Sequence, residues 1–352
     1  MATIKDVAKA AGVSTASVSR VLSGHPATSP QMRERVRAAA AALNFRPNAI
    51  ARSLRSTGTR TVGLVVSDLM NPFFTELARA VEDTARAAGY SVIVGNADER
   101  LDQQDHYIRN LLERQVDGLI VVPTIETSPL LREAAERDLH VVLVDRPVAD
   151  VELPTVLADA GPAVRELVDH LVTTGRRRPA VITGPRDAGT ARLRLETFRA
   201  ALAEHGLDLP DSRVLDGEFR STGGYAAMAQ AIDEEPPDAV FVANGSMGLG
   251  VLQLLSTHPE IRVPEDLAIA VFDDSPWFDL LTPTITAIAQ PTRALGKRAM
   301  QTLLARIAGE PLPPAEPLPC RLVLRESTLP GEPTLAGEST HPSEPTQSRR
   351  RP

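Results

Sequence analysis

Cysteine is almost missing from this chain. Cys320 is the only one, which excludes an internal disulfide framework and points to a reducing cytoplasm. Long apolar runs are missing too: runs such as Leu119 to Val122 and Val141 to Val144 are the size of buried strands and far short of the ~18 residues of a membrane span. The amino terminus lacks the basic start, apolar stretch and small-residue cleavage site of a secretory signal. Catalytic spacings are absent as well. The seven histidines are scattered, and no HExxH, CxxC or Gly-x-Ser-x-Gly pattern occurs. GPRDAGTA at 184–191 has the two glycines of a phosphate loop but Thr190 in place of the needed lysine, and NGSMGLG at 244–250 reads as a glycine-rich turn. No enzyme, cofactor or metal site is expected.

What is present is enough chain for two or three domains, 352 residues with 43% hydrophobic side chains. The charge is unevenly spread. Residues 1–60 carry ten Lys or Arg against Asp6 and Glu34, a balance of +8, while the remainder carries −15. Such asymmetry suggests a small polyanion-binding module joined to an acidic body.

Helix signals crowd the basic segment. Thr3 can cap a helix running to about Ala11, Ser14 a second to about Leu22, and Ser29 before Pro30 a third ending near Leu43. Gly12 separates the first two. Ile4, Val7, Ala8, Val18, Leu22, Val36 and Leu43 can form a minimal core, which leaves Thr15, Ala16, Ser19 and Arg20 outward on the second helix. That helix, within GVSTASVSRVLSG, is rich in hydroxyl residues although they are mediocre helix formers. A helix lying deep in the DNA major groove has a use for them: short hydroxyls bond phosphates, and arginine reads guanine. NFRPNAIARSLRSTGTRTVG then supplies a turn, a capping Asn48, a short helix near Ala49 to Arg55 and a Gly/Thr-rich joint before a strand. A helix that short orders only when docked.

The rest alternates between strand and helix. Strands are expected at Val62 to Val66, Ser91 to Val94, Gly118 to Val121 and Val141 to Val144, with helices beginning near Phe73, Asp102 and Ser128. A second series has strands near Ala180 to Thr183, Val214 to Leu215, Ala239 to Val242 and Leu267 to Phe272, with helices after Gly161, Arg192, Thr222 and Met247. Parallel sheets covered by crossover helices are the expected result. Residues 331–352 hold little but Pro, Ser, Thr, Glu and Gly and are expected to be a disordered tail.

TIKDVAKAAGVSTASVSRVLSG and NFRPNAIARSLR closely resemble the DNA-binding headpiece and hinge of the lactose-repressor/galactose-repressor family of bacterial transcription regulators. The resemblance continues through VGLVVSDLMNPFFTELARAVEDTARAAGY, QVDGLIVV, LVDRPV, ARLRLETF, AVFVAN, IAVFDDSP and LVLRES, in the family's order. It implies a small all-α helix-turn-helix headpiece (1–46), a hinge helix and linker (47–60), and a two-lobed α/β body with parallel sheets like periplasmic binding proteins (61–330). The amino lobe would take 61–158 and 287–318 and the carboxyl lobe 159–286 and 319–330, with crossings near Asp159, Thr286 and Pro319.

For DNA, Thr3, Ser14, Thr15, Ala16, Ser17, Ser19, Arg20, Asn48 and Ala51 are the candidate contacts. The resemblance adds Leu54 as a wedge between base pairs in the minor groove. Asp145, Asn244 and Asp273 end strands and Arg194 opens a helix, and carboxyl ends of parallel strands are where such sheets bind ligands. The resemblance implies that these four hydrogen-bond a small polar effector, with Phe73 and Phe219 as walls, although Asp145 and Asp273 can equally cap turns. One departure stands out: the family commonly has Asp after the asparagine, where this chain has Gly245. The expected protein is a cytoplasmic, homodimeric repressor that binds palindromic operator DNA under the control of a sugar. A purine-type effector and, further off, a solute-binding protein are the alternatives.

Overall fold

The computed structural model describes residues 2–22, 28–45, 58–149 and 151–329. Asn48, Ala51, Leu54 and the 331–352 tail lie outside them.

Three helices form the headpiece: α1 (Ile4–Ala11), α2 (Thr15–Leu22) and α3 (Pro30–Ala42). Each begins where a hydroxyl side chain satisfies an otherwise orphaned backbone N–H. The Asp6 amide donates to Thr3 Oγ1 at 3.4 Å, and the Asp6 carboxylate accepts in return from the Thr3 amide at 2.8 Å. The amides of Ser17 and Met32 donate to Ser14 and Ser29 at 3.1 and 3.3 Å. Gly12 ends α1 at φ 65°, a left-handed conformation open to glycine at no steric cost. The core is Val7, Ala8, Ala11, Val18, Val21, Val36 and Ala40. Two expected members are displaced. Val21, three residues after Val18, shares its face, so Leu22 is only partly buried; α3 stops at Ala42, and Leu43 turns outward, 37% exposed.

The body holds two sheets. In the amino lobe β1 (Thr61–Val66), β2 (Ser91–Asn96), β3 (Gly118–Val121), β4 (Val141–Val144) and β5 (Thr155–Val156) pair in parallel in the order β2-β1-β3-β4-β5. After β6 (Ala158–Asp159), the carboxyl lobe is built on β7 (Pro179–Thr183), β8 (Val214–Asp216), β9 (Ala239–Val242), β10 (Ala268–Phe272), β11 (Thr286–Ala289) and β13 (Arg321–Val323), ordered β13-β11-β10-β9-β7-β8. β13 alone is antiparallel there. Strands such as β3, β4, β9 and β10 are buried throughout, which explains why they read as unbroken apolar runs rather than alternating ones.

The chain crosses between lobes after Asp159, after Ala289 and beside β12 (Leu318–Pro319), which pairs with β6. The second crossing falls later than expected. Ala287, Ile288 and Ala289 are bonded into the carboxyl sheet between β10 and β13, because their run of buried apolar side chains suits an inner strand covered on both faces. The amino lobe regains the chain from Gln290. It then takes α11 (Thr292–Ala308), whose Leu295, Ala299, Met300 and Leu303 pack with Val62, Leu64, Leu77 and Val81.

At the headpiece junction the Asp117 carboxylate accepts from the amides of Thr59 and Arg60 at 2.6 and 2.8 Å. Residues 59 and 60 are therefore held at the start of β3.

Two carboxyl-lobe helices, α9 (Ser221–Glu234) and α10 (Gly245–Leu255), meet backbone to backbone through Gly224 and Gly250. A Cβ at Gly250 would collide with the Ser221 carbonyl and come within 2.7 Å of the Tyr225 amide. Alanine normally helps a helix by about 1 kcal/mol over glycine. Here the obstacle is backbone and cannot swing away, so Gly250→Ala is expected to destabilise the body by ~1 to 3 kcal/mol. Urea unfolding of the variant checks this; a midpoint at or above the parent's means the helices can part at little cost.

Candidate functional site

Burial of Val18 and Val21 aims the opposite face of α2 outward: Thr15, Ala16 and Arg20 are exposed and Ser19 half-buried. The other hydroxyls are engaged within the headpiece. Thr3 bonds the Asp6 carboxylate through its own hydroxyl at 2.8 Å, and Ser14 and Ser17 pair at 3.0 Å while Ser14 caps α2. What α2 presents is thus a narrow face of short side chains beside one guanidinium, the shape needed for close approach to a duplex.

In the body, β4 and β10 occupy equivalent places in the two lobes and each ends in an aspartate. Asp145 and Asp273 both adopt left-handed backbone conformations, at φ 70° and 73°, while their amides still bond the neighbouring strand, to the carbonyls of Val156 and Ile288 at 3.0 Å each. Holding a non-glycine residue there costs of order 1 kcal/mol or more, and such strain clusters at ligand sites. Both carboxylates are buried. They face Arg194, from the second turn of α8 (Gly189–Glu204), whose guanidinium lies 4.0 Å from Asp145, donates to the Ala243 carbonyl at 2.7 Å and stacks 3.6 Å over the Phe272 ring.

Burial pushes the Asp145 carboxyl above the usual carboxylate range, opposed by Arg194 and Arg146; burial also pulls the Arg194 guanidinium down, opposed by Asp273 and Asp145. The site therefore holds charge at a cost, and groups that donate hydrogen bonds to Asp145 would relieve it.

The capping alternative applies to Asn244 rather than to the aspartates. Its Oδ1 accepts from the Met247 amide at 2.8 Å and starts α10. Asp273 instead accepts from Gln290 Nε2 at 2.8 Å. Phe73 lines a cavity of 540 Å³ together with Asp273, Ser275, Gln290 and Thr292. Phe219 is more enclosed than Phe73. It is 2% exposed, packed against Gly184 and covered by the Arg146 guanidinium at 5.0 Å.

Arg146, Glu99 and Gln290 are the residues that sequence reasoning missed. Arg146 makes a two-pronged bond with Glu99, at 2.7 and 2.8 Å, and joins the lobes by lying on Phe219. Its only signal was its place in LVDRPV, beside Asp145. Gln290 sits at the second crossing, a position visible only once β11 is seen to end at Ala289.

Burial pushes the Cys320 thiol up to about 12, which keeps it protonated and a poor nucleophile. Among the described residues no His, Cys, Asp and Glu cluster could hold a metal ion, and no helix is long and apolar enough to cross a membrane.

Residues 3–48 match the profile of bacterial regulatory proteins of the lacI family, and residues 168–328 that of the periplasmic binding protein-like domain. The ribose operon repressor of Escherichia coli (strain K12) is 37% identical over 310 residues, covering 87% of this chain and 93% of the repressor. The chain belongs to the lacI family. The HTH-type transcriptional repressor PurR of Aliivibrio salmonicida (strain LFI1238) is 34% identical over 87% of this chain and 92% of that protein. In structure, the lac repressor dimer bound to operator and the anti-inducer ONPF superposes with a TM-score of 0.80 at 28% identity, covering 94% of this chain and 99% of that one. The fold is thus a helix-turn-helix headpiece on a two-lobed α/β body, and the protein is a DNA-binding transcriptional regulator rather than an enzyme.

Proposed function

We propose that this regulator is a repressor whose operator affinity is set by a small polar effector, a sugar, bound between the lobes. The observation that carries the reading is the convergence of Asp145, Asp273 and Arg194 from two lobes onto one cleft, with two buried carboxylates facing one guanidinium. Carboxylates accept and guanidinium donates, a complement suited to vicinal hydroxyls. Phe73 and the cavity beside Asp273 offer room for the rest of such a molecule. The relative named for the ribose operon supports a sugar; the relative named PurR keeps a purine-type ligand as the second reading.

DNA enters through α2, and two copies on a palindrome fit a headpiece that reads only a half-site. Met70 and Leu280, 85% and 81% exposed, and Ile93 and Val94 on the edge strand β2 supply apolar surface for a second copy. A ligand that binds two arrangements of the lobes unequally shifts their populations, and with them the placing of the headpieces. The Asp117 clamp on residues 59–60 supports transmission from the amino lobe into the linker. Leu54 would act beyond that clamp, as the minor-groove wedge.

Thermal unfolding of the purified protein against neutral sugars and nucleobases tests the reading, since a ligand at 100 times its Kd adds about 2.7 kcal/mol. A sugar is expected to raise the melting temperature. A nucleobase that does so instead transfers the site to the second reading, and no stabilising compound in either class removes the effector assignment.

A further inference from the structure

Glu126 lies in the amino lobe on the loop between β3 and the helix Pro129–Glu136, remote in sequence from every cleft residue of the carboxyl lobe. It nevertheless reaches across the rim. Its carboxylate takes both prongs of Arg192, Oε2 from Nη1 and Oε1 from Nη2, at 2.6 Å each. Its amide donates to the Asp187 carbonyl at 3.3 Å, a backbone bond from one lobe to the other. On its own side its carbonyl accepts from the Ala149 amide at 2.7 Å, which ties the loop to the segment after β4 and Asp145.

The receiving end is shaped for it. α8 begins at Gly189 without a side-chain cap and without an acidic residue in its first turn, so its free amides and positive end have no partner from within the helix. A Cβ on Gly189 would stand 2.6 Å from Glu126 Oε1. The φ of Gly189 is not one that demands glycine, and its bare Cα leaves room for the Glu126 carboxylate. The same helix carries Arg194 one turn on from this contact.

We infer that Glu126 is a positioning residue of the cleft: it latches the amino lobe onto the start of the helix that carries Arg194, and the cleft opens only when this latch is released. Outside the cleft, Asp98 and Arg220 form another cross-lobe pair, at 3.2 Å, with a further bond from Arg220 to the Asp98 carbonyl at 2.8 Å. That pair carries no backbone bond between amide and carbonyl and meets no glycine, so the geometry assigns the latch to Glu126. Arg192 and Glu126 remain partly exposed, with side chains 51% and 25% accessible, so the latch is open to screening by salt. The inference rests on the effector reading for the purpose of closure, whereas the latch itself is tested with no ligand present.

Hydrogen exchange of the full-length, ligand-free protein provides that test, followed in peptides covering 123–128 and 186–192. Glu126→Gln keeps the size and removes the charge; Arg192→Met keeps most of the apolar stem and removes the guanidinium. Both are expected to speed exchange in both peptides by up to about fivefold, the scale of a partly exposed ion pair, while peptides of α9 and α10 exchange as in the parent. Raising KCl from about 0.05 M to about 1 M should speed the parent toward the variants and leave Glu126→Gln nearly unmoved. Parent-like exchange in both variants overturns the latch. So does an Arg192→Met variant that speeds exchange when Glu126→Gln does not, because Arg192 would then act within its own helix through Glu196, 3.7 Å away. Failure of the sugar screen with accelerated exchange in the variants would remove the effector reading and leave the latch standing.

Discussion

Asp273→Asn is expected to bind operator within a few-fold of the parent and to lose its response to the sugar found by thermal unfolding. Asp273 is buried in the body, its Oδ1 already holds Gln290, and its other oxygen is available to a ligand. The amide keeps the shape and exchanges an acceptor for a donor, so a hydroxyl that gave a hydrogen bond meets another donor. Leaving one polar partner unmatched in a closed cleft costs ~1 to 3 kcal/mol, comparable with the whole coupling between effector and operator in an ordinary switch, ~1 to 3 kcal/mol. Arg194→Ala should lose the response too. It also strips Asp145 of the guanidinium that faces it from the opposite lobe, so its body should melt lower than that of Asp273→Asn. Operator titrations with and without sugar decide the matter: variants that still respond place the effector elsewhere.

The second large effect belongs to the headpiece. Arg20→Ala should weaken operator binding by ~1 to 3 kcal/mol, about fivefold to 150-fold, and flatten the preference among sequences. The reason is positional. Val18 and Val21 anchor α2 in a core of seven small residues, and Arg20 rides on the opposite, exposed face beside Thr15 and Ala16. Ser19→Ala should act differently, weakening specific and random DNA to a similar extent, because a phosphate contact carries no base code. Competition binding with a selected operator and a random duplex separates the two. Equal losses on both DNAs for Arg20→Ala would count against its reading of a base.

Much of the architecture was legible before any coordinates. Caps at Thr3, Ser14 and Ser29 placed the headpiece helices to within a residue, because a helix start is a local event in which one hydroxyl serves an amide two or three residues on. The buried parallel strands were equally plain, since burial on both faces demands unbroken apolar runs. The strand β11 and the helix α11 were not read from the sequence, and the strands β5, β6, β12 and β13 were not separately visible. At two or three residues they have no periodicity of their own and exist because a neighbouring edge accepts them.

For the cleft, Asp145, Asp273, Arg194 and Asn244 could be singled out by their place at strand ends and helix starts, but not their duties. That Asn244 spends its carbonyl on a helix cap, while the two aspartates do not cap, depends on where α10 begins relative to β9 and on Gln290 arriving from a crossing 17 residues after Asp273. The resemblance singles out Phe219, but not that one face of its ring carries Arg146, a residue of the other lobe.

Sequence alone therefore determined the helix starts, the strand series, the charge division between headpiece and body, and the residue types able to meet a polar ligand. Each follows from interactions within a few residues or from the bulk cost of burying a side chain. Tertiary structure decided which of those residues share a site. Glu126 with Arg192, Glu99 with Arg146 and Asp117 with the linker lie 66, 47 and 57 to 58 residues apart. Such pairs are chosen by the folding of whole lobes, because an ion pair or amide clamp has no pattern along the chain and forms only where two surfaces are brought together.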